Sequence, residues 1–352
     1  MVVGEATASR ILTGDNPFNV RPEDDFLQPV AHDIPHWSET MYFHVWNPVQ
    51  DVGVFVHVGR WPADLDLWWA QVIAMLPDGE LLVDRSWGRA RDHRGPATGN
   101  LQVECIEPLK TWRVSFDGAG EPTTRERMSA GPVGAGRAAA FKFSVDLHSA
   151  APVWDMHGAL GLDNLSWAAS HHTQGFRSMG GLSSEGRSWD LTGVAHRDHS
   201  SGPRNFVDFG GLNFFVVVFP ESGRVANGLV NWRRRGEVDH RVFTIQQRGR
   251  CEIGTDVKVT GLADLSTHAP HRIQISLGGD TPRKYVADVL HGYTLTALEP
   301  NLNVNGAAHD EETDPLLLTQ GAVRVVADDG EVGWGVVERD YRRSMLPSPE
   351  ER

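Results

Sequence analysis

The chain has 352 residues, with 33 Lys and Arg against 46 Asp and Glu, a formal net charge of -13. Such an acidic balance repels phosphate backbones and anionic headgroups, which argues against nucleic acid as a partner. The 37 Gly and 20 Pro are more than a helical protein tolerates, because both residues break helices and build turns, so an all-β chain of many short strands is expected. At this length one hydrophobic core has usually stopped growing, which predicts two domains.

In chain order, Met1 to Asp15 has neither a basic region nor an apolar stretch, and the longest strongly apolar run, Phe214 to Phe219, is far too short to cross a bilayer. The reading is a cytoplasmic protein that is not integral to a membrane. Leu67 to Leu76, closed by Pro77-Asp78-Gly79 and followed by Glu80 to Val83, predicts a hairpin, since Pro-Asp-Gly supplies tight-turn geometry. Trp112 to Asp117 alternates and runs into Asp117-Gly118, a favoured turn pair. Phe141 to His148 alternates without interruption. Between Ser149 and Ser166 the alternation lapses into Ala-Ala-Pro and a Gly-dotted stretch, which places a domain boundary near residue 160, with one β domain over 1–160 and a second over 161–352.

Ser188 to Asp198 reads as a strand with Asp190, Thr192, Val194, His196 and Asp198 on one face and Trp189, Leu191, Gly193, Ala195 and Arg197 on the other. Ser200 to Pro203 should then be a turn. Arg241 to Ile245, Arg272 to Leu277 and Val323 to Val326 add strands, while Ala287 to Leu298 fits either helix or strand. Pro347 to Arg352 is a polar, Pro-broken tail with the composition of a disordered end.

Cys105 and Cys251 lie far apart without Cys-x-x-Cys spacing, so reduced, buried thiols are expected. His196, Asp198 and His199 are a poor metal set, because consecutive strand residues point to opposite faces, and no metal is expected. His-Arg-Asp at 196–198 lacks the Gly-rich loop and Asp-Phe-Gly of a kinase. Gly-x-Ser-x-Gly, phosphate-loop and dinucleotide patterns are missing too, so no cofactor is expected.

The segment Gly193, Arg197-Asp198-His199-Ser200, Gly202, Arg204 resembles the Gly-x-x-x-Arg-Asp-His-Ser-Trp-Gly-x-Arg-Asp element of the lipocalin-like family of hydroxyneurosporene synthases and AttH-like proteins. His171-His172-Thr173-Gln174 is similar to that family's His-x-Glu-Gln, and Gly333-Trp334-Gly335-Val336-Val337-Glu338 to its Gly-Tyr-Gly-x-x-Glu. Trp37-Ser38-Glu39 and Leu109 to Arg113 agree more loosely. Ser201 stands where the family has Trp, and Thr173 where it has Glu.

The resemblance implies two lipocalin-like barrels or sandwiches, a pocket near the motif strand, and acid-initiated hydration, dehydration, isomerisation or cyclisation of an isoprenoid or polyene. Asp198 would be the acid, held protonated by an apolar pocket. His196 or His172 would position it or take the proton back, and Gln174 would orient water. Arg197, His199, Arg204, Trp334 and Glu338 complete the candidate substrate-binding set. Three other readings stay open: a salt-bridge network of Arg197, Asp198 and Arg204 fixing a barrel corner, a carrier that holds a lipophilic ligand without turning it over, and a pericyclase that shapes a polyketide.

Overall fold

A computed structural model describes residues 9–162, 165–261, 270–298, 302–308 and 312–345. The chain begins with β1 (Arg10–Thr13) and continues through β2 (Trp37–Asn47), β3 (Val52–Trp61), β4 (Asp64–Met75), β5 (Glu80–Arg89), β6 (Leu101–Glu107), β7 (Thr111–Thr124) and α1 (Arg125–Ala130). Next come β8 (Ala139–Ser149), β9 (Trp154–Asp155), α2 (Met156–Leu160), β10 (Ser170–Ser184), β11 (Arg187–Asp190) and β12 (Gly193–Pro203). The last strands are β13 (Phe209–Phe219), β14 (Arg224–Arg233), β15 (Val238–Gln247), β16 (Arg250–Gly254), β17 (Val257–Thr260), β18 (Arg272–Leu277), β19 (Arg283–Leu298), β20 (Leu302–Asn305), β21 (Leu316–Ala327) and β22 (Val332–Arg342).

Antiparallel pairing in the order β8, β10, β12, β2, β3, β4, β5, β7 and back to β8 closes an eight-stranded barrel, with β6, β9 and β11 attached outside the ring. A second sheet, in the order β1, β16, β15, β14, β13, β22, β21, β19, β18, β17 with β20 beside β19, remains open at its ends. The chain crosses from the second sheet to the barrel between Thr13 and Trp37 and returns to the second sheet between Pro203 and Phe209. The division read near residue 160 is therefore corrected: the Ala-Ala-Pro stretch does mark a break in alternation, but β10 beyond it pairs with β8 before it, from Phe176↔Ser149 to Ser184↔Phe141.

Several local expectations match the strands. Met75 pairs with Leu81 across the Pro77-Asp78-Gly79 turn, where Asp78 and Gly79 both take positive φ. Ala287 to Leu298 is strand, part of β19, with a bulge between Val289 and His291. Two turns were misread. Asp117 and Gly118 stay in β7 opposite Lys142 and Phe141, and the glycine is there because a Cβ would press on the Phe116 ring and Asn100. Ser200 to Pro203 continues β12 against β2, with Gly202 at φ +125 and set too close to the Ala169 backbone for any Cβ. The proposed strand from Ser188 is broken at Leu191-Thr192 into β11 and β12. The Pro347 to Arg352 tail lies outside the described residues.

Three apolar cores follow from the alternation. Phe43, Val56, Trp112 and Phe176 fill the barrel, and Phe215, Phe243, Ile275 and Tyr285 fill the concave side of the second sheet. A third core, with Tyr42, Phe55, Phe214, Tyr293 and Leu318, joins the outer faces of the two sheets. That is why all eleven residues of β2 are buried: it faces a core on both sides. A buried aromatic ring removes about 150 to 250 Å² from water, or about 4 to 6 kcal/mol at ~25 cal/mol per Å², so this contact holds the two sheets together. Among the described residues no helix is long and apolar enough to cross a membrane.

Candidate active site

The third core opens into a cavity of about 150 Å³ between the sheets. The barrel contributes Thr40, Tyr42, His57, His171, Asp198 and Ser200, and Arg204 follows from the end of β12. Leu229, Leu318, Gln320, Glu338 and Asp340 face them from the second sheet, with Phe206, Phe209 and Phe214 on the apolar side. This is a space between the barrel and the second sheet and not the lumen of the barrel. Strand alternation decides which residues reach it: Val194, His196, Asp198 and Ser200 of β12 point to the second sheet, while Ala195, Arg197 and His199 point into the barrel.

Asp198 sits opposite Thr173 in the β10–β12 register and accepts a hydrogen bond from the Thr173 hydroxyl at 2.9 Å on Oδ2, the oxygen that also meets His171 Nε2 in a short contact. Burial alone would raise its pKa. The charge and hydrogen bond of His171, with the hydroxyl of Thr173 and the nearby His196, overcome that and hold it at about 2. Asp198 is therefore ionised near neutral pH, which corrects its assignment as a protonated acid: the apolar walls were anticipated, and the partners on β10 were not.

The protonated carboxyl lies across the cavity. Glu338 and Asp340 are two apart on β22 and so share its cavity face. Burial pushes Asp340 well above the ordinary value of 3.8, and the Glu338 carboxyl against it acts in the same direction. Burial also raises Glu338, to about 7, against the hydrogen bonds it makes with Asp340 and Gln320, while the charge of Asp198 adds to the rise. A buried carboxyl and a half-buried one in contact do not both ionise near neutral pH, so the pair retains a proton. Gln320 is the cross-strand neighbour of Glu338, and its Oε1 accepts from Tyr293 Oη at 3.0 Å.

The remaining predicted residues are dispersed. His196 lies behind the cavity wall, edge-on to Tyr42 at 4.6 Å and 5.9 Å from Phe214, with no hydrogen-bond partner among the described residues at either ring nitrogen. Burial holds its pKa at about 3 against the pull of Asp198, so it is neutral and takes no part in holding the Asp198 carboxylate by hydrogen bond. His172, Gln174, Arg197 and His199 all point into the barrel, which corrects their placement at the pocket. His172 lies 3.9 Å from Asp155, and burial lowers it to about 3. Gln174 donates to the carbonyls of Leu109 at 2.8 Å and Ala151 at 2.9 Å, leaving its amide nitrogen no role in orienting water at the cavity.

Arg197 is fully buried, 2.8 Å from Asp25 and 4.8 Å above the Trp112 ring. His199 meets Glu39 at 2.9 Å, and Arg60 holds the other oxygen of Glu39 at 2.9 Å. Trp334 shares the β22 face with Glu338 but lies outside the cavity lining. Asp198, Arg204 and Glu338 are thus the predicted residues that meet at one site. The sequence reading missed His171, Thr173, Gln320 and Asp340, although Glu338-Arg339-Asp340 at strand spacing already implied two carboxyls on one face. It also missed His57, a lone histidine in the apolar run Val54 to Val58. Among the described residues no three His, Cys, Asp or Glu are arranged to hold a metal ion.

An eight-stranded barrel facing a second sheet, with a mainly apolar cavity between them that carries a few charged groups, defines an all-β protein. The chain belongs to the family described as a domain of unknown function, DUF7064, which it matches over residues 21–341. The fold is similar to that of a protein described as AttH from Nitrosomonas europaea, at 14% identity and a TM-score of 0.59, covering 97% of this chain and 99% of that one. It is also similar to kievitone hydratase from Nectria haematococca, at 10% identity and a TM-score of 0.54, covering 95% and 97%. No curated protein matches the chain in sequence.

Proposed function

We propose that the protein is a cytoplasmic, cofactor-independent enzyme that transfers protons on a lipophilic, isoprenoid- or polyene-type small molecule, as a hydratase, dehydratase, isomerase or cyclase. The observation that carries this is one cavity with two acid–base groups driven apart: a carboxyl pair holding a proton at Glu338–Asp340, and an ionised Asp198 bound to His171 on the facing wall. Separated pKa values of this kind assign an acid and a base. Glu338 gives its proton to one carbon of a double bond, and the aromatic rings of Tyr42, Phe209 and Phe214 face the cation that forms. In hydration a water oxygen then bonds to the other carbon, and its proton passes to the His171–Asp198 pair. In isomerisation or dehydration the base takes a proton from the adjacent carbon, or the steps run in reverse.

That a hydratase has the same fold supports this reading. A carrier would need the cavity but would gain nothing from burying a proton-sharing carboxyl pair in it. The test uses the compound identified by mass spectrometry of ligand extracted from the purified protein. Glu338→Gln should lower its turnover by about 10²- to 10⁴-fold with little change in affinity, because the amide keeps the shape and cannot give up the proton. Turnover within a few-fold of the parent protein would remove Glu338 from the mechanism.

A further inference from the structure

We infer that the substrate carries an ionised oxygen, as a carboxylate or as a phenolate or enolate, and that Arg204 binds it. The inference rests on the cavity being the substrate site and narrows what that site accepts. Arg204 lines the cavity and is 6% exposed. Its guanidinium donates only to neutral oxygens: the Trp167 carbonyl at 3.0 Å, Thr40 Oγ1 at 2.8 Å, the Ser200 carbonyl at 3.0 Å and Ser200 Oγ at 2.8 Å.

Three of the other four buried arginines are matched with acids: Arg60 lies 2.9 Å from Glu39, Arg197 2.8 Å from Asp25, and Arg224 2.7 Å from Glu331, while the fourth, Arg342, donates to the carbonyls of Phe209, Asp314 and Phe206 at 2.7 to 2.8 Å. Among the described residues no carboxylate stands within ion-pair distance of Arg204. The acids whose charge it feels, Asp198 and Glu39, are already held by His171 and Thr173 and by Arg60 and His199. A buried charge is normally paired, because an unpaired one gives up its hydration for nothing. The missing partner has to enter with the ligand, and a guanidinium fork suits a carboxylate or a delocalised enolate.

The rest of the wall agrees. His57, with its Nδ1 engaged by Asn303 Nδ2 at 2.9 Å and its pKa lowered to about 4 by burial, is a neutral imidazole whose hydrogen sits on Nε2, a second donor on the Arg204 side. An anion anchored there lays its apolar body along Phe206, Phe209 and Phe214 and brings the reacting carbon toward Glu338 on the other wall. A plain hydrocarbon would leave Arg204 uncompensated in a drier cavity.

Calorimetric titration of the purified full chain at neutral pH tests this with matched probes: 2-naphthoate against 2-naphthamide, and 2,4-dinitrophenolate against 2,4-dinitroanisole. At least one anion should bind about tenfold or more tightly than its neutral partner, and the pair that shows it separates a carboxylate from a phenolate-like substrate. Arg204→Gln should abolish the preference and Arg204→Lys should keep part of it. Neutral probes that bind the parent protein as well as both anions do, or anions that fail to bind, would overturn the inference whether or not the variants fold. The preference should persist in Glu338→Gln, so failure here is distinguishable from failure of the proton-transfer reading, which is scored by turnover alone.

Discussion

Strand β12 carries two polar networks on its two faces, and they differ in kind. On the barrel side each charge faces an opposite one: Arg197 lies 2.8 Å from Asp25, and Glu39 is held by Arg60 and His199. These pairs tie the segment that leads into β2 to the barrel, since Leu109 N and Gln28 N also donate to Asp25 and Glu39, at 2.5 and 2.9 Å. On the cavity side the charges are left open or shifted: an arginine without an acid, a carboxyl pair with a retained proton, and a carboxylate held at about 2. Buried charges that neutralise one another are a structural device, whereas charges left without an opposite charge toward a cavity are prepared for something that enters it. The alternation of one strand keeps the two apart.

The largest expected difference is in titration near neutrality. Glu338 must be protonated to act as an acid, and its pKa is about 7, so turnover should be highest below that value and fall about tenfold per pH unit above it. The pH dependence of kcat measures this, and a profile flat from pH 6 to 9 would show that the cavity pair does not supply the proton. No barrel-side group is expected to shape that profile.

Stability should show the opposite bias. Asp25→Asn leaves Arg197 buried without its acid and should cost about 3 to 5 kcal/mol in urea unfolding, while replacing both partners by apolar residues should recover much of the loss. Arg204→Met removes four hydrogen bonds but also an uncompensated charge, and the opposing effects should leave a net change of about 1 kcal/mol. Equal losses at the two sites would abolish the distinction between them.

How far the sequence could show this follows from the range of each interaction. The split of β12 was legible because alternation is local: Asp198 and His196 do share a face, and Arg197 does turn away. The same rule applied to β10 would have favoured His171 and Thr173 over His172 and Gln174, had the register with β12 been known. That register pairs Thr173 with Asp198, and it is set by the whole barrel. The partner of Arg197 is 172 positions away in a 3₁₀ turn, Pro22–Asp25, which no periodicity links to it. The sheet boundary was misplaced for a related reason: Gly and Pro show where a chain bends, but only pairing shows to which sheet it returns.

The effect confined to the narrowest range of pH concerns Asp198 itself, and it separates a held carboxylate from a protonated one. Its pKa is lowered from 3.8 to about 2, so its contribution to stability is complete above about pH 4 and is lost as the pH falls through about 2. That lowering corresponds to about 2 to 3 kcal/mol. Asp198→Asn should therefore be less stable than the parent protein at pH 5 by about that amount, and the gap should close toward pH 2, where the parent carboxyl is itself neutral. Buried histidines such as His172, with its pKa lowered to about 3 without any part from Asp198, also weaken the fold as the pH falls below 6.5, but they do so in both proteins and cancel in the comparison. Urea unfolding of the two proteins at a series of pH values measures the gap. If instead the variant were the more stable and the gap widened as the pH rose from 4 to 7, Asp198 would be a raised carboxyl that folding keeps protonated, and the acid and base roles on the two walls would have to be exchanged.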